Sequence, residues 1–186
     1  MNLDYYKEKL EQLQKLSKTG FWELDLKKNH IVYSSEIYNI LGIDEKDFDH
    51  KYENFLNLIH PNDKEDVNLF YFNSFKNLEK ESTFKYRIIT KSGKIKYLEQ
   101  KLETKFDENK NPTTSFGTIQ DISEKEFYRQ KLEEDYTQIK KQQDELKAIF
   151  DNTRDGLAIV DLKTNFLKVN KTYCEITGLS EEELLA

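Results

Sequence analysis

Apolar residues near the start of the chain recur every three or four positions, as they do along one face of a helix. The residues of this face are Leu3, Tyr6, Leu10 and Leu13. The pattern predicts an amphipathic helix over residues 3–17 that can pair with another helix. Gly20 is predicted to stop this helix, because glycine favours the conformations in which helices end.

Beyond this helix the pattern changes to short strands and short helices. Strands are predicted at 21–26, 31–34, 83–90, 94–106 and 113–121, each bounded by polar turns. Short helices are predicted over 35–41, ended by Gly42, and after His60-Pro61-Asn62-Asp63. Two strands, several helices and three hairpin-connected strands predict an α+β fold, a five-stranded antiparallel sheet with short helices on one face, flanked by long amphipathic or coiled-coil helices.

A second long helical pattern runs from Glu124 to Phe150, where the chain has no glycine or proline. Spacings of four and three alternate through Leu132, Tyr136, Ile139, Gln143, Leu146 and Phe150. This heptad seam predicts a parallel coiled coil with a second copy, and the alternative is a lone amphipathic helix packed on its own domain. Gln143 would fix the register at some cost in stability, as suits a helix that shifts between states.

The chain also repeats itself at an offset of 136 residues, without gaps. The matched pairs include Gly20 and Gly156, Asp25 and Asp161, Ile40 and Ile176, and Gly42 and Gly178. The repeat indicates a duplicated module. We therefore expect an N-terminal helix (1–18), a complete module (19–124), a helical linker (125–150) and the first part of a second module (151–186), which would break off at the counterpart of His50.

Several motifs occur in order within the first module. They are Gly20-Phe21-Trp22-Glu23-Leu24, His60-Pro61-Asn62-Asp63, Tyr86-Arg87-Ile88 and Gly117-Thr118-Ile119-Gln120-Asp121-Ile122-Ser123. Across residues 16–124 their order and spacing resemble the PAS family, in its third-fold subtype. The second module resembles a different PAS subtype, through Asp155-Gly156-Leu157 and Thr177-Gly178-Leu179. Lys85 departs from the family pattern, which usually has an acid there, and Ser123 replaces a threonine.

The resemblance implies a cytoplasmic bacterial sensory module that relays a signal through the linker to a downstream output domain. No catalytic residue is predicted in this chain. The expected output is a histidine kinase of a two-component phosphorelay. The alternatives are a diguanylate cyclase, a phosphodiesterase, or a ligandless scaffold for dimerisation. We expect a homodimer that pairs through the linker helices.

The end of the last strand is associated with signal transfer in this family, so Asp121, Ile122 and Ser123 are candidate signal-coupling residues. Asp121 is expected to accept hydrogen bonds from the first turn of the linker helix or to pair with Arg87. Ser123 and Glu126 have the spacing of a capping box, in which each side chain binds the other residue's backbone. These contacts would fix how the helix leaves the sheet.

Aromatic residues of the first module are candidates for lining a ligand pocket. They are Trp22, Phe55, Phe70, Tyr86, Tyr97 and Phe116. Such residues either line a small cavity, as in many PAS domains, or fill the core. The sequence leaves both interpretations open, so an unknown small molecule is a candidate ligand.

Composition narrows the remaining chemistry. A net charge of -6 argues against a nucleic-acid partner, and no apolar run approaches the roughly 18 residues of a membrane helix. The single cysteine, Cys174, lies outside any motif for a flavin adduct and is expected to be a small buried residue. His30, His50 and His60 lack the spacing of metal ligands. We therefore predict no cofactor and no metal.

Overall fold

The computed structural model describes residues 3–76 and 81–186, so the first two residues of the expected segment 1–18 lie outside the described part. The chain forms two compact units, unit 1 (Met1–Phe127) and unit 2 (Tyr128–Ala186). Unit 1 corresponds to the first copy of the repeat together with its N-terminal helix. Unit 2 contains the second copy.

Unit 1 combines one sheet with four helices among its described residues. Its elements are α1 (Leu3–Ser17), β1 (Thr19–Asp25), β2 (His30–Tyr33), α2 (Ser35–Leu41), α3 (Tyr52–Leu58), α4 (Lys64–Lys76), β3 (Glu81–Ile89), β4 (Ile95–Phe106) and β5 (Pro112–Asp121). Two 3-10 turns, Glu45–Asp47 and Pro61–Asp63, precede α3 and α4. A long helix, α5 (Ser123–Asn152), follows β5.

The five strands form one antiparallel sheet in the order β2-β1-β5-β4-β3. Successive side chains of a strand point to opposite faces, and one face of this sheet is buried. The buried residues of that face include Trp22, Leu24, Tyr86, Ile88, Leu98, Leu102 and Ile119. They join one hydrophobic core with Ile37 and Leu41 of α2, Phe55 of α3 and Val67 of α4. The structure thus confirms the predicted five-stranded antiparallel sheet with short helices.

Gly20 does not end α1, and that prediction was wrong. The helix ends at Ser17, and Lys18 adopts the left-handed conformation with a φ of 50°. Gly20 lies in β1, where an added β-carbon would stand 2.2 Å from Cγ1 of Ile37. Glycine is therefore needed there because α2 crosses β1 closely. Gly42 ends α2 as predicted, with a φ of 69°.

Unit 2 has a smaller framework. Its further elements are β6 (Ala158–Val160), β7 (Phe166–Val169), α6 (Lys171–Thr177) and α7 (Glu181–Leu185), and β6 pairs only with β7 among the described residues. The buried Asn170 organises this unit. Its Oδ1 accepts hydrogen bonds from the N–H groups of Leu157 (2.9 Å) and Tyr173 (2.8 Å), and its Nδ2 donates to the carbonyls of Phe150 and Asp155. Three apolar side chains in and just before β6, those of Leu157, Ile159 and Val160, are 38–49% exposed.

Candidate functional site

The junction between β5 and α5 is where the sheet continues into the long helix. The buried Ile122 stands between the two elements, and its N–H donates to the carbonyl of Tyr97 (2.9 Å). Ser123 Oγ accepts a hydrogen bond from the N–H of Tyr97 (3.0 Å). The backbone of β4 therefore holds both residues at which α5 begins.

Asp121 supplies the main charge at this junction. Its Oδ1 accepts a hydrogen bond from the N–H of Ser123 (3.0 Å), and its Oδ2 lies 3.3 Å from Lys96 Nζ. Burial tends to raise the pKa of the carboxyl group. The hydrogen bonds from Ser123 and the charge of Lys96 outweigh burial, so the pKa of Asp121 lies below its ordinary value. Asp121 thus accepts from the first residue of α5, as expected.

Lys96 connects this carboxylate to the helices that cover the sheet. Its Nζ donates to the carbonyl of Ile40 (2.6 Å) and to that of Asn39 (3.4 Å), near the end of α2. A cation is favourable there because helix carbonyls carry partial negative charge at that end. One lysine therefore bridges the end of α2 and the start of α5.

Arg87 pairs with Asp63 and not with Asp121. The Asp63 carboxylate accepts hydrogen bonds from the N–H of Arg87 (2.8 Å), from its Nε (3.0 Å) and from its Nη2 (2.5 Å). The expected contact with Asp121 fails because Arg87 lies on β3, and β4 separates β3 from β5. The Asp63–Arg87 pair instead anchors the start of α4 to the sheet. His60 precedes this turn, and its Nδ1 accepts a hydrogen bond from the N–H of Asn62 (3.3 Å).

Lys85 and Glu126 form a contact that the sequence analysis missed. Lys85 Nζ lies 3.5 Å from Glu126 Oε1 and 3.8 Å from Glu99 Oε1, and the Glu126 side chain is only 8% exposed. The expected capping box was wrong, because Ser123 Oγ binds Tyr97 and the Glu126 carboxylate faces Lys85. The lysine that departs from the family pattern therefore supplies a cation to the first turn of α5.

The end of α1 meets the same junction. The N–H of Asp121 donates to the carbonyl of Lys18 (2.9 Å), and Gln120 Nε2 donates to the carbonyl of Ser17 (3.1 Å). Lys18 Nζ also lies 2.8 Å from Glu124 Oε2, but both side chains are largely exposed, so this ion pair contributes little. The end of β5 is consequently bonded to the last residue of α1 and to Lys18 after it, while the start of α5 contacts Lys18, β3 and β4.

The six candidate pocket residues lie on both faces of the sheet. Trp22, Phe55 and Tyr86 are buried in the core, and Phe70 packs against it. Tyr97 and Phe116 lie on the opposite face, because their strand neighbours Leu98 and Ser115 point into the core. Lys105 Nζ stands 4.8 Å above the Phe116 ring on that side. The candidate pocket is therefore corrected to the four interior residues.

Polar groups accompany these interior aromatic residues. Tyr86 Oη donates to Gln100 Oε1 (2.9 Å), and Gln100 Nε2 donates to Tyr71 Oη. Three further buried polar atoms have no hydrogen-bond partner among the described residues: Trp22 Nε1, Tyr33 Oη and Tyr52 Oη. Burial raises the pKa of Tyr33 and that of Tyr86, so both hydroxyls stay protonated. Unpaired groups of this kind suit a small uncharged ligand or buried water.

The predicted seam of α5 is largely exposed. Leu132, Tyr136, Ile139 and Leu146 are 54–69% exposed. Phe150 differs, because it is partly buried and Lys168 Nζ lies 5.0 Å above its ring. Phe150 therefore packs within unit 2, and the exposed seam consists of the other four residues.

Two other features are absent from the part of the chain that the structure describes. No helix there combines the length and apolar character needed to cross a membrane. The same residues contain no cluster of three or more His, Cys, Asp or Glu side chains suited to a metal ion. Cys174 is partly exposed and not buried as expected, in a unit whose sheet has only two strands among the described residues.

Two family models match the chain, one described as PAS fold over residues 30–119 and one as PAS domain over residues 144–186. A search of curated protein sequences gave no significant match. Among solved structures, a sensory box histidine kinase/response regulator from Burkholderia thailandensis E264 aligns with a TM-score of 0.60 at 16% identity, covering 71% of this chain and 98% of that one. The N-terminal domain of a diguanylate cyclase with PAS/PAC sensor from Marinobacter aquaeolei aligns with a TM-score of 0.53 at 17% identity, covering 58% and 98%. At such identities the structures are similar in fold.

Proposed function

Because the chain belongs to the PAS family, with two PAS regions in tandem, we propose that it is a cytoplasmic bacterial module for sensing and signal transduction. Unit 1 senses the signal, and α5 relays it to a downstream output domain. The output in this proposal is a histidine kinase of a two-component phosphorelay. The chain itself supplies regulation and no catalytic residue.

The observation that carries the proposal is the bridge made by Lys96. Its ammonium group binds the carbonyl of Ile40 near the end of α2 and the carboxylate of Asp121 at the end of β5, just before α5. Because α2 covers the core, a change in the interior that shifts α2 also shifts this lysine. Asp121 and the start of α5 must then move with Lys96, or the ion pair between Lys96 and Asp121 is lost. Either response couples the interior of unit 1 to the helix.

The second step of the relay is a pair of α5 helices. The exposed seam of Leu132, Tyr136, Ile139 and Leu146 can bury apolar area only against another helix. In a parallel pair, Asp135 would lie at a g position and face Lys140 of the second copy at an e position, which is an attractive contact. Both side chains are exposed and available. A parallel homodimer is therefore part of the proposal.

The interior of unit 1 is the proposed place of sensing. Trp22 Nε1, Tyr33 Oη and Tyr52 Oη are buried without a partner among the described residues, and a buried polar atom left unpaired costs roughly 1–3 kcal/mol. A small uncharged molecule that binds these atoms would remove that cost and rearrange the helices around it. No cofactor is assigned.

Two alternatives have some support. The similar solved domain from a diguanylate cyclase with PAS/PAC sensor favours a cyclase output, and a phosphodiesterase would use the same input. The filling of the core by Trp22, Phe55 and Tyr86 favours a ligandless dimerisation scaffold. These alternatives share the fold and the dimer but differ in output or in sensing.

To test this proposal, the chain is expressed together with the output region of its native protein. Transfer of phosphate from ATP to a histidine of the protein would support the kinase. Formation of cyclic diguanylate from GTP, or its hydrolysis, would replace the kinase by the corresponding alternative. If no activity appears while a stable dimer forms, the scaffold is the better account.

A further inference from the structure

Lys85 lies between two carboxylates that belong to different elements. Its Nζ stands 3.5 Å from Glu126 Oε1 in the first turn of α5 and 3.8 Å from Glu99 Oε1 on β4. A strong contact between an ammonium group and a carboxylate is shorter, at roughly 2.8 Å. The lysine is therefore shared by the two carboxylates and bound closely by neither.

The two carboxylates differ in how they are held. Glu99 lies directly opposite Lys85 in the register of β3 and β4, so the ladder of the sheet fixes its position. Glu126 lies on a helix, and its side chain is 8% exposed against 19% for Glu99. A charge with so little access to water is costly when a cation turns away from it, and more costly when a like charge faces it.

These three side chains have two arrangements available. In the first, Lys85 turns toward Glu126 and holds the first turn of α5 against β3. In the second, Lys85 turns toward Glu99, and the first turn of α5 moves off the sheet so that the Glu126 carboxylate reaches water. We propose that Lys85 is the switch that docks or releases the start of α5, with Glu99 as the competitor for its charge. This inference rests on the proposed relay through α5.

The switch depends on a residue that is particular to this chain. The family pattern usually has an acid at the position of Lys85, and an acid there would repel both Glu99 and Glu126. The lysine reverses that repulsion and gives the first turn of α5 a reason to stay on the sheet. The device therefore belongs to this chain and is not a general consequence of the fold.

Arg87 connects the switch to the helices that cover the core. It follows Lys85 by two residues, so the two side chains start from the same face of β3. Its guanidinium group pairs with Asp63, which ends the turn before α4. Among the described strands, β3 pairs with β4 alone. A movement of α4 can thus reach Lys85 through its own strand, by a path separate from the bridge made by Lys96.

Amide hydrogen exchange in the whole 186-residue chain tests the switch, with the N–H of Glu126 as the reporter. This group donates to the carbonyl of Ile122 (2.9 Å), so it exchanges when the first turn of α5 opens. Lys85→Gln should speed its exchange on the order of threefold, as expected for a partly exposed ion pair. Glu99→Gln should slow the exchange by a similar factor, because it removes both the competitor and the like charge.

Glu103→Gln is the matched control for Glu99→Gln. It removes an acid from the same face of β4, at a position that pairs with Phe116 and so lies farther along the strand from α5 than Glu99, which pairs with Gln120. The exchange of the Glu126 amide should be unchanged in this variant. The substituted positions are remote in sequence from Glu126, so the intrinsic exchange rate of the reporter stays the same.

The direction of the Glu99→Gln effect decides the question. In a fixed network of three charges, loss of Glu99 would leave the exchange of the Glu126 amide unchanged or make it faster, and either result would overturn the switch. An unchanged rate in Lys85→Gln would overturn it too. So would equal changes at the amides of β5, because these would report the stability of the whole unit. The measurement needs no output domain, so the proposed relay is judged separately by the output assay.

Discussion

Lys85 Nζ on β3 and Glu126 Oε1 in the first turn of α5 lie 3.5 Å apart. The Glu126 side chain is almost buried, whereas Lys85 is about half exposed, so solvent weakens the attraction without removing it. The contact links α5 to β3, the edge strand that β4 separates from β5. It supplements the bridge from Asp121 to Lys96.

Lys85→Gln is expected to destabilise unit 1 by about 1 kcal/mol, and Lys85→Glu by more, because a third carboxylate would then face Glu99 and Glu126. Urea unfolding of the single variants, of Glu126→Gln and of the double variant Lys85→Gln/Glu126→Gln measures the coupling between the two residues. Strictly additive effects would show that the two side chains do not interact.

The pair of Asp63 and Arg87 predicts acid sensitivity. Hydrogen bonds from Arg87 hold the pKa of Asp63 below its ordinary value despite partial burial. A carboxyl group with a lowered pKa in the folded state stabilises the fold above the unfolded pKa of about 4, and this contribution is lost as the pH falls through the folded pKa. Asp63→Asn should destabilise the protein by about 2 kcal/mol at neutral pH and by less as the medium becomes acidic.

Urea unfolding of wild type and Asp63→Asn between about pH 6 and pH 3 measures this difference. Arg87→Gln serves as the matched variant, because it removes the other member of the same pair. Its loss of stability relative to wild type should also shrink as the pH falls through this range. If the difference in the free energy of unfolding between wild type and Asp63→Asn stays constant with pH, the lowered pKa assigned to Asp63 is contradicted.

Dimerisation is expected to depend on the α5 seam. Ile139→Asp places a charge among apolar side chains, so it should convert a dimer into monomers in sedimentation experiments. Gln138→Asp adds the same charge one residue away, outside the seam, and should leave the dimer intact. An unchanged dimer in Ile139→Asp would place the interface elsewhere.

Protection from hydrogen exchange should differ between the two units. The β6–β7 pair is a two-stranded sheet, which is marginally stable in water, and the side chains of Ile159 and Val160 remain about half exposed. In the whole chain, amides of β6 and β7 should exchange much faster than those of β4 and β5. Equal protection in both units would contradict this expectation.

Local patterns predicted much of the fold of unit 1. Strands and short helices follow from β-prone residues between polar turns, and Gly42 ends α2 through its own left-handed backbone. The role of Gly20 was predicted wrongly, because the need for glycine there comes from the close approach of Ile37 in α2. Ile37 lies seventeen residues later in the chain, so the residues next to Gly20 do not reveal it. A single sequence does not reveal such a crossing.

The candidate site was less predictable for the same reason. Asp121, Ile122 and Ser123 lie at the junction as expected, but apart from the bond between Asp121 and Ser123 their partners Lys96 and Tyr97 come from β4. The order of strands decides that Lys96, and not Arg87, reaches Asp121. Tyr97 and Phe116 were placed on the wrong face of the sheet. Tyr97 and Leu98 are both apolar enough for a core position, so the sequence does not show which of them points inward. The register of β4 with β3 and β5 decides this.

The coupling role of Asp121 is the central claim, and signal-dependent output in Asp121→Ala tests it most directly. The protein is expressed with its native output domain, and Asp25→Ala serves as the control, because Asp25 accepts similar hydrogen bonds from Lys27 and Lys28 in a turn far from α5. Loss of a partly buried, charge-assisted contact should cost about 2 kcal/mol, so Asp121→Ala should remain folded by its thermal midpoint. We predict that Asp121→Ala uncouples the output from the signal while Asp25→Ala stays regulated. Normal regulation in a well-folded Asp121→Ala protein would contradict the account, and wholesale unfolding would show that Asp121 serves stability alone.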